Sequence, residues 1–543
     1  VAYSPDGRYL LLASYDGTAR VWNAQSGRPV ATLTGIGGGV WSIAMSADGR
    51  RLMTAAGVQT GQGRRMALST DQLVGEIKPI VPRCLTPAER AGFNLSPAAP
   101  EWCFAMDKWP YNSRAWKIWH QHKDDKVKPP QPDSAEWLSW VEKTGSALLA
   151  KHPAEAILYA REGASITEEL SENDPENPRW RLALASNLID EGRALKALRR
   201  FQEAIDTYER PLMIVSSEAA AHPDNAGDQG DVAYVSELVG DAFTDKHEPD
   251  GAVIFYRRAL AIRVKLLAAQ PDDPTRQANA AYDDQALAEQ LLAKNANVEA
   301  LGDARDNLTL RRKLADAKPG DADRAEDVAY ALRLLGDVLT ANDNAADARA
   351  AYSESLTIRK KLADAEPKNG VRLNAVAYVE ERLAASLLKE GKATDAVALY
   401  KDAVDVERKA VAVEPDNVSR QDDLSYADEH LATTLTALGR ANETPPYYRE
   451  ALAAREKVTA RAERDEIAAQ GKAGAATADK LGGVAWDALF AHDFDKALAV
   501  SRRAADLAPD LVWIKTNYAH ALMFLNRTND ARAMYLEYRG KQT

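Results

Sequence analysis

Cysteine is almost missing from this chain: Cys84 and Cys103 are the only two in 543 residues. So low a count rules out a disulfide framework and fits a reducing, cytoplasmic compartment. The two stand 19 apart with no Cys-x-x-Cys, a weak pattern for a metal, and two buried cysteines in a connecting segment are the plainer reading. Long apolar runs are missing as well: nothing approaches the roughly 18 consecutive apolar residues of a membrane-spanning helix. Positive charge is in deficit, with 69 Lys and Arg against 80 Asp and Glu and a formal net charge of -11. Phosphate binding needs a basic surface, so nucleic acid is excluded as the main partner.

Chemistry-bearing motifs are equally scarce. No GxxxxGK[ST] phosphate loop and no HExxH zinc helix occurs. His120 and His122, in HQHKDDK after Trp119, read as solvated surface rather than as two ligands. Cys84 paired with any of the eight histidines has nothing local to recommend it as a nucleophile. His520, in NYAHALMF, sits on a terminal helix and reads as packing or groove lining. No catalytic residue, metal or cofactor is expected.

What the chain does have is a register. Proline returns every 48 residues, at Pro175, Pro223, Pro271, Pro319, Pro367 and Pro415. A tyrosine keeps the same step at Tyr234, Tyr282, Tyr330, Tyr378 and Tyr426, and a lysine at Lys265, Lys313, Lys361, Lys409 and Lys457. A constant period means an array of near-identical units, and arrays of this period are solenoids. Within one unit, Gly230 to Pro271, a helical pattern covers about 232–243. A second covers about 250–269, with Ala252, Tyr256, Ala259, Leu260, Ile262 and Leu266 on one buried face. The proline ends the second helix.

This helix–turn–helix unit resembles the tetratricopeptide repeat (TPR) family. The resemblance rests on a small residue in the first helix (Gly240, Ala288, Gly336, Ala384, Ala432), an alanine twelve residues later (Ala252, Ala300, Ala348, Ala396) and an aromatic four after that (Tyr256, Tyr352, Tyr400, Tyr448). The family period is about 34, so each helix here gains about seven residues, close to two turns, which keeps the apolar stripe on its face. Ala485 to Ala519 and Ala497 to Ala531 are 34 apart, so 481–543 reads as a standard pair of repeats. Residues 134–460 form the 48-residue array, and 461–480 (RAERDEIAAQGKAGAATADK) reads as an extension and flexible hinge.

The amino-terminal stretch, residues 1–81, is β-type: short alternating runs broken by Asp6-Gly7, Asp16-Gly17 and Asp48-Gly49. With Val21-Trp22-Asn23 it resembles the WD-repeat β-propeller family, departing from it at Asn23, at Gly35-Ile36 and in the second blade, which has no tryptophan at the matching place. The resemblance implies about two closing blades. Gly35-Ile36-Gly37-Gly38-Gly39 is then a blade-to-blade loop rather than a phosphate cradle. Two blades cannot close a ring, and Val1 is not a methionine, so a longer protein with further blades upstream is expected. Residues 82–133 (RCLTPAERAGFNLSPAAPEWCFAMDKWPYNSRAWKIW within them) resemble the connector after the propeller of large multidomain bacterial proteins that carry a caspase-like or other effector domain.

The expected fold is therefore mainly α: a right-handed α-solenoid of TPR-like helix pairs, preceded by about two β-propeller blades. In TPR arrays the first helices line the concave face, and the resemblance carries its groove positions onto the tyrosine ladder. Beside Tyr234, Tyr282, Tyr330, Tyr378 and Tyr426 stand Glu237 and Asp241, Gln285 and Glu289, Arg333 and Asp337, Glu381 and Ala385, Glu429 and Thr433. Asp231, Asp327 and Asp423 lie one turn before three of the tyrosines. Acids outnumber the single arginine, which suits a peptide bearing Lys or Arg. The alternative is that the tyrosines wedge neighbouring helices and the acids are solvated. Arg263, Arg311, Arg359 and Arg455, two residues before the lysines, read with them as a solvated stripe on the second helices. The function implied is a non-enzymatic protein-interaction scaffold or sensor arm. A second reading makes the chain the regulatory half of an effector enzyme, a caspase-like peptidase or NTPase, with its catalytic domain upstream. A third is self-association through exposed solenoid ends.

Overall fold

The computed structural model describes residues 1–34, 38–48, 51–56, 64–67, 77–93, 95–96, 98, 100–125, 128–132 and 136–537. Gly35, Ile36, Gly37 and Gly49, singled out above, lie outside them. The chain divides into two compact units, Val1–Ala147 with Leu158–Ile166, and Leu148–Ile157 with Thr167–Thr543.

The first unit opens with two small antiparallel sheets. Strands β1 (Ala2–Tyr3), β2 (Tyr9–Ala13), β3 (Ala19–Asn23) and β4 (Pro29–Leu33) pair in chain order, as do β5 (Val40–Met45), β6 (Arg51–Ala56) and β7 (Arg64–Ala67). The Asp-Gly turns do what their chemistry demands. Gly7 and Gly17 take left-handed φ of 69° and 80°, while Asp6 accepts from the Ser4 hydroxyl at 2.6 Å and Asp16 from the Thr18 hydroxyl at 2.6 Å. Alternation puts Leu11, Val21, Ile43 and Leu52 in one core. The described residues form these two sheets and no closed ring.

The connector holds three helices, α1 (Pro87–Gly92), α2 (Glu101–Ala105) and α3 (Arg114–His122), and α4 (Trp137–Leu148) follows it. Here the cysteine reading is overturned: Cys84 and Cys103 are buried, as expected, but joined in a disulfide. Separation in sequence gives no measure of distance once a chain folds back, and their Cα atoms lie 6.3 Å apart. The fold-back is held by Cys84 N–H donating to Trp109 O at 2.7 Å and by Tyr111 Oη donating to Leu85 O at 2.9 Å. The argument for a reducing compartment falls with it. His120 and His122 are tied down rather than solvated, to Glu101 at 2.9 Å and to Asp125 and Tyr159 at 2.9 and 2.8 Å.

Helix α5 (Pro153–Asn173) contributes to both units. The array follows as alternating first and second helices. The first helices are α6 (Pro178–Ala197), α8 (Ala226–Asp245), α10 (Pro274–Ala293), α12 (Ala322–Ala341), α14 (Gly370–Lys389) and α16 (Val418–Ala437), each 20 residues. The second helices are α7 (Phe201–Ala221), α9 (Pro249–Ala269), α11 (Asn297–Asp316), α13 (Ala345–Ala365), α15 (Ala393–Val413) and α17 (Pro445–Gln470). Two shorter pairs end the described chain: α18 (Ala475–Phe490) with α19 (Phe494–Leu507), and α20 (Val512–Phe524) with α21 (Thr528–Glu537). From α6 to α21, each helix packs on the one that follows it. Among the described residues no helix is long and apolar enough to cross a membrane.

Local chemistry explains the punctuation. Two residues after each periodic proline stands an N-cap, Asn177, Asn225, Asp273, Asp321, Asn369 or Asn417, whose side chain accepts from the first turn of the next helix. First helices end where the backbone turns left-handed, at Arg199, His247, Asn295, Asp343, Gly391 and Gly439, again 48 apart. The small residue is small for steric reasons: a Cβ on Gly240 would lie 2.9 Å from Tyr256 Cε1, and one on Gly336 2.5 Å from Tyr352 Cε1. The segment read as a hinge is helical up to Gln470, and Gly471, at φ 75°, ends that helix.

Candidate partner-binding face of the first helices

The twelve expected groove residues, Tyr234, Glu237, Asp241, Tyr282, Glu289, Tyr330, Arg333, Asp337, Tyr378, Glu381, Tyr426 and Glu429, all sit on first helices at repeating positions. The fold joins them in pairs from one repeat to the next. Tyr282 Oη donates to Asp241 at 3.0 Å and Tyr330 Oη to Glu289 at 2.7 Å, each rung crossing to the preceding first helix. The second-helix tyrosines reach the same acids, Tyr256 to Asp241 at 2.8 Å and Tyr352 to Asp337 at 2.7 Å. Arg333 pairs with Asp337 and stacks 4.3 Å from the Tyr330 ring centroid. Four of the tyrosines are half-buried, and Tyr426 is the exposed one at 51%.

Counter-ions are more numerous than one arginine. Arg382, which the family positions do not reach, donates to Tyr378 Oη at 2.6 Å, and Lys196 lies 3.4 Å from Asp241. The arginines read as a solvated stripe are instead turned inward. Arg263 and Arg359 are 9% and 5% exposed; Arg263 lies 3.5 Å from Glu237, Arg359 3.0 Å from Glu326, Arg311 3.0 Å from Asp327, and Arg455 pairs with Glu429 and Asp487. Two residues along a helix is about 200° of rotation, so a position two before an exposed lysine faces nearly the opposite way. The lysines themselves, from Lys265 to Lys457, are exposed.

Several acids are too deeply buried to behave as surface charges. Burial, then the neighbouring Glu407, pushes Glu381 up to about 8. Glu407 itself rises to about 7, through burial. Burial raises Glu237 as well, with Arg263 opposing it. The face is thus a braced lattice of phenols, guanidinium groups and partly protonated carboxyls. Its acids spend their charge on the chain's own cations.

Further along the same series of helices the chemistry changes. Trp486, Leu489 and Phe490 on α18, His492, Phe494 on α19, and His520, Met523 and Phe524 on α20 line a cavity of about 410 Å³. Trp486, Met523 and Phe524 are 42%, 44% and 56% exposed, and Phe494 stacks on Phe524 at 4.9 Å. Sequence reading missed this site, although Phe490 and Phe524 repeat at the 34-residue step and mark it. His520 does line it, and burial lowers its pKa. Among the described residues no group of three or more His, Cys, Asp or Glu side chains is placed to hold a metal ion.

A family model described as WD domain, G-beta repeat matches residues 1–23, the span of β1 to β3. No curated protein matches the chain. Solved structures overlay on parts of it. The apo form of RapI covers 72% of this chain and 98% of its own, at 13% identity and TM-score 0.41. A Rap protein complexed with competence and sporulation factor covers 75% and 100%, at 13% and 0.33. The C-terminal part of a TPR repeat-containing protein from Cytophaga hutchinsonii covers 57% and 94%, at 16% and 0.32. Overlap of this extent says nothing of what the chain binds. Its own helices, from α6 to α21 among the described residues, form a TPR-like helical solenoid.

Proposed function

We propose that the chain is a non-enzymatic protein-interaction scaffold, whose solenoid binds a peptide segment of a partner along the first helices. The observation that carries this is the aromatic cavity of Trp486, Phe490, Phe494, Met523 and Phe524, in which Trp486, Met523 and Phe524 stay over 40% exposed. Apolar surface held open to water at one place is a binding surface by its energetics, since covering it gains roughly 25 cal/mol per Å². The partner supplies an aliphatic or aromatic anchor residue. The tyrosine ladder braces the stack, and its exposed end, Tyr426, presents a phenol ring that a basic residue of the partner would meet.

Peptide display against the full chain tests this reading. Selected peptides should share a large apolar residue, and Trp486→Ala with Phe524→Asp should weaken them at least tenfold without lowering the melting temperature. Peptides with no shared apolar residue, or indifferent to those two changes, would sink it.

A further inference from the structure

A second site lies on the second helices, between two matching ion pairs that stand two repeats apart. Arg312 reaches from α11 to Glu354 on α13, with contacts of 2.7 and 2.8 Å. Two repeats on, Arg408 reaches from α15 to Glu450 on α17, with its Nε 3.0 Å from Glu450 Oε1, and also takes Asp405 at 2.7 Å. The repeat between them carries Lys360 and Asp402 at these positions. Lysine and aspartate are each shorter than the residues they replace, and an ammonium cannot fork as a guanidinium does. Lys360 turns inward instead, to Glu380 Oε1 at 2.7 Å, and Asp402 is left without an ion pair among the described residues.

Where the pair is missing, a cavity of about 400 Å³ opens. Four acidic side chains, Asp364, Glu380, Asp402 and Asp405, and two lysines, Lys360 and Lys409, line it. Glu380 is fully buried, and its Oε2 has no hydrogen-bond partner. An unsatisfied carboxylate oxygen in such a place calls for a donor. One wall is apolar, made by Leu373, Val376 and Val406.

We propose that this cavity binds a small alkylguanidinium molecule. Its guanidinium takes the place that an arginine of the chain holds one repeat before and one repeat after. It forks onto Asp402 and points an N–H toward Glu380 Oε2, while the alkyl stem lies on Leu373, Val376 and Val406. An anion would meet the wrong sign of charge. A lone ammonium would satisfy one carboxylate and leave the other unmet.

Agmatine, a guanidinium on a four-carbon stem, is the probe. Titrated calorimetrically into the full chain at low ionic strength, it should bind at one saturable site, at least fivefold more tightly than putrescine, which lacks the guanidinium. Lys360→Arg supplies the missing guanidinium from the chain itself and should weaken agmatine at least tenfold. Asp402→Asn, an exposed change that leaves packing intact, should do the same, and Glu380→Gln tests the inner contact. Absence of saturable heat overturns the assignment, as does a preference for putrescine. So does an agmatine isotherm unaltered in both Lys360→Arg and Asp402→Asn.

Discussion

At the scale of single residues, the left-handed positions that end the first helices are the most economical test of the repeat logic. Gly391 and Gly439 adopt φ of 77° and 74° freely, whereas His247 is held at 63°. A side chain in that region is disfavoured by about 1 to 2 kcal/mol, part of which glycine loses again through its freer unfolded chain. His247 is exposed, so His247→Gly should stabilise the solenoid by about 0.5 to 1 kcal/mol in urea melts, and Gly391→Ala should destabilise it by a similar amount. No shift in either variant would mean that these loops relax at no cost. The opposite case is Gly336, where the obstacle is a neighbour. Its Cβ would meet Tyr352, which the Asp337 hydrogen bond holds in place, so Gly336→Ala should cost about 1 to 3 kcal/mol.

At the scale of the element, the first helices carry carboxyl groups where a packed face would ordinarily be apolar. Asp284, Asp428 and Glu380 occupy the same repeat position on α10, α16 and α14, and are at most 4% exposed. Burial pushes Asp284 and Asp428 up to about 8, with Asp303 adding to the first and Glu450 to the second. Asp283, beside Glu237, is likewise raised to about 8. A carboxyl whose folded value lies above its unfolded one, near 4, binds its proton more tightly in the folded state. Its stabilising effect is complete below pH 4 and is lost as pH rises through 8. Urea midpoints should therefore fall between pH 5.5 and pH 8.5, and Asp428→Asn should flatten the fall while raising the midpoint at pH 8.5. A midpoint that rises with pH would show these groups ionised in the fold.

These helices also show what the sequence makes legible. Period, helix pairing and the Gly240–Tyr256 fit follow from residue types at fixed spacing, because helical geometry converts spacing into a face. The tyrosine ladder was legible as a series, but its purpose was not, since each rung joins residues about 41 apart on different helices. The inward arginines were hidden behind the lysines two positions away. The aromatic cavity needs three helices at once, and only the Phe490 to Phe524 step announced it.

At the scale of the whole molecule, the repeats contact only their neighbours, so stability is a sum of local terms and need not be lost in one step. The junction at Gly471 is the natural break. There the longest helix of the array ends, the period drops from 48 to 34, and the helices shorten to 16, 14, 13 and 10 residues. Shorter helices bury less surface against each neighbour, so the last pairs have less coupling to draw on. Tryptophan happens to report on this division: none of the 11 lies between Trp180 and Trp486, the span of the long repeats. Ellipticity at 222 nm is dominated by those repeats, while indole fluorescence reads the ends. The two probes should give separate urea midpoints, and Trp513→Phe, which removes one half-buried reporter packed against Gly482, should move the fluorescence curve alone. Coincident curves would mean that coupling runs undiminished through Gly471 and that the solenoid unfolds as one cooperative body.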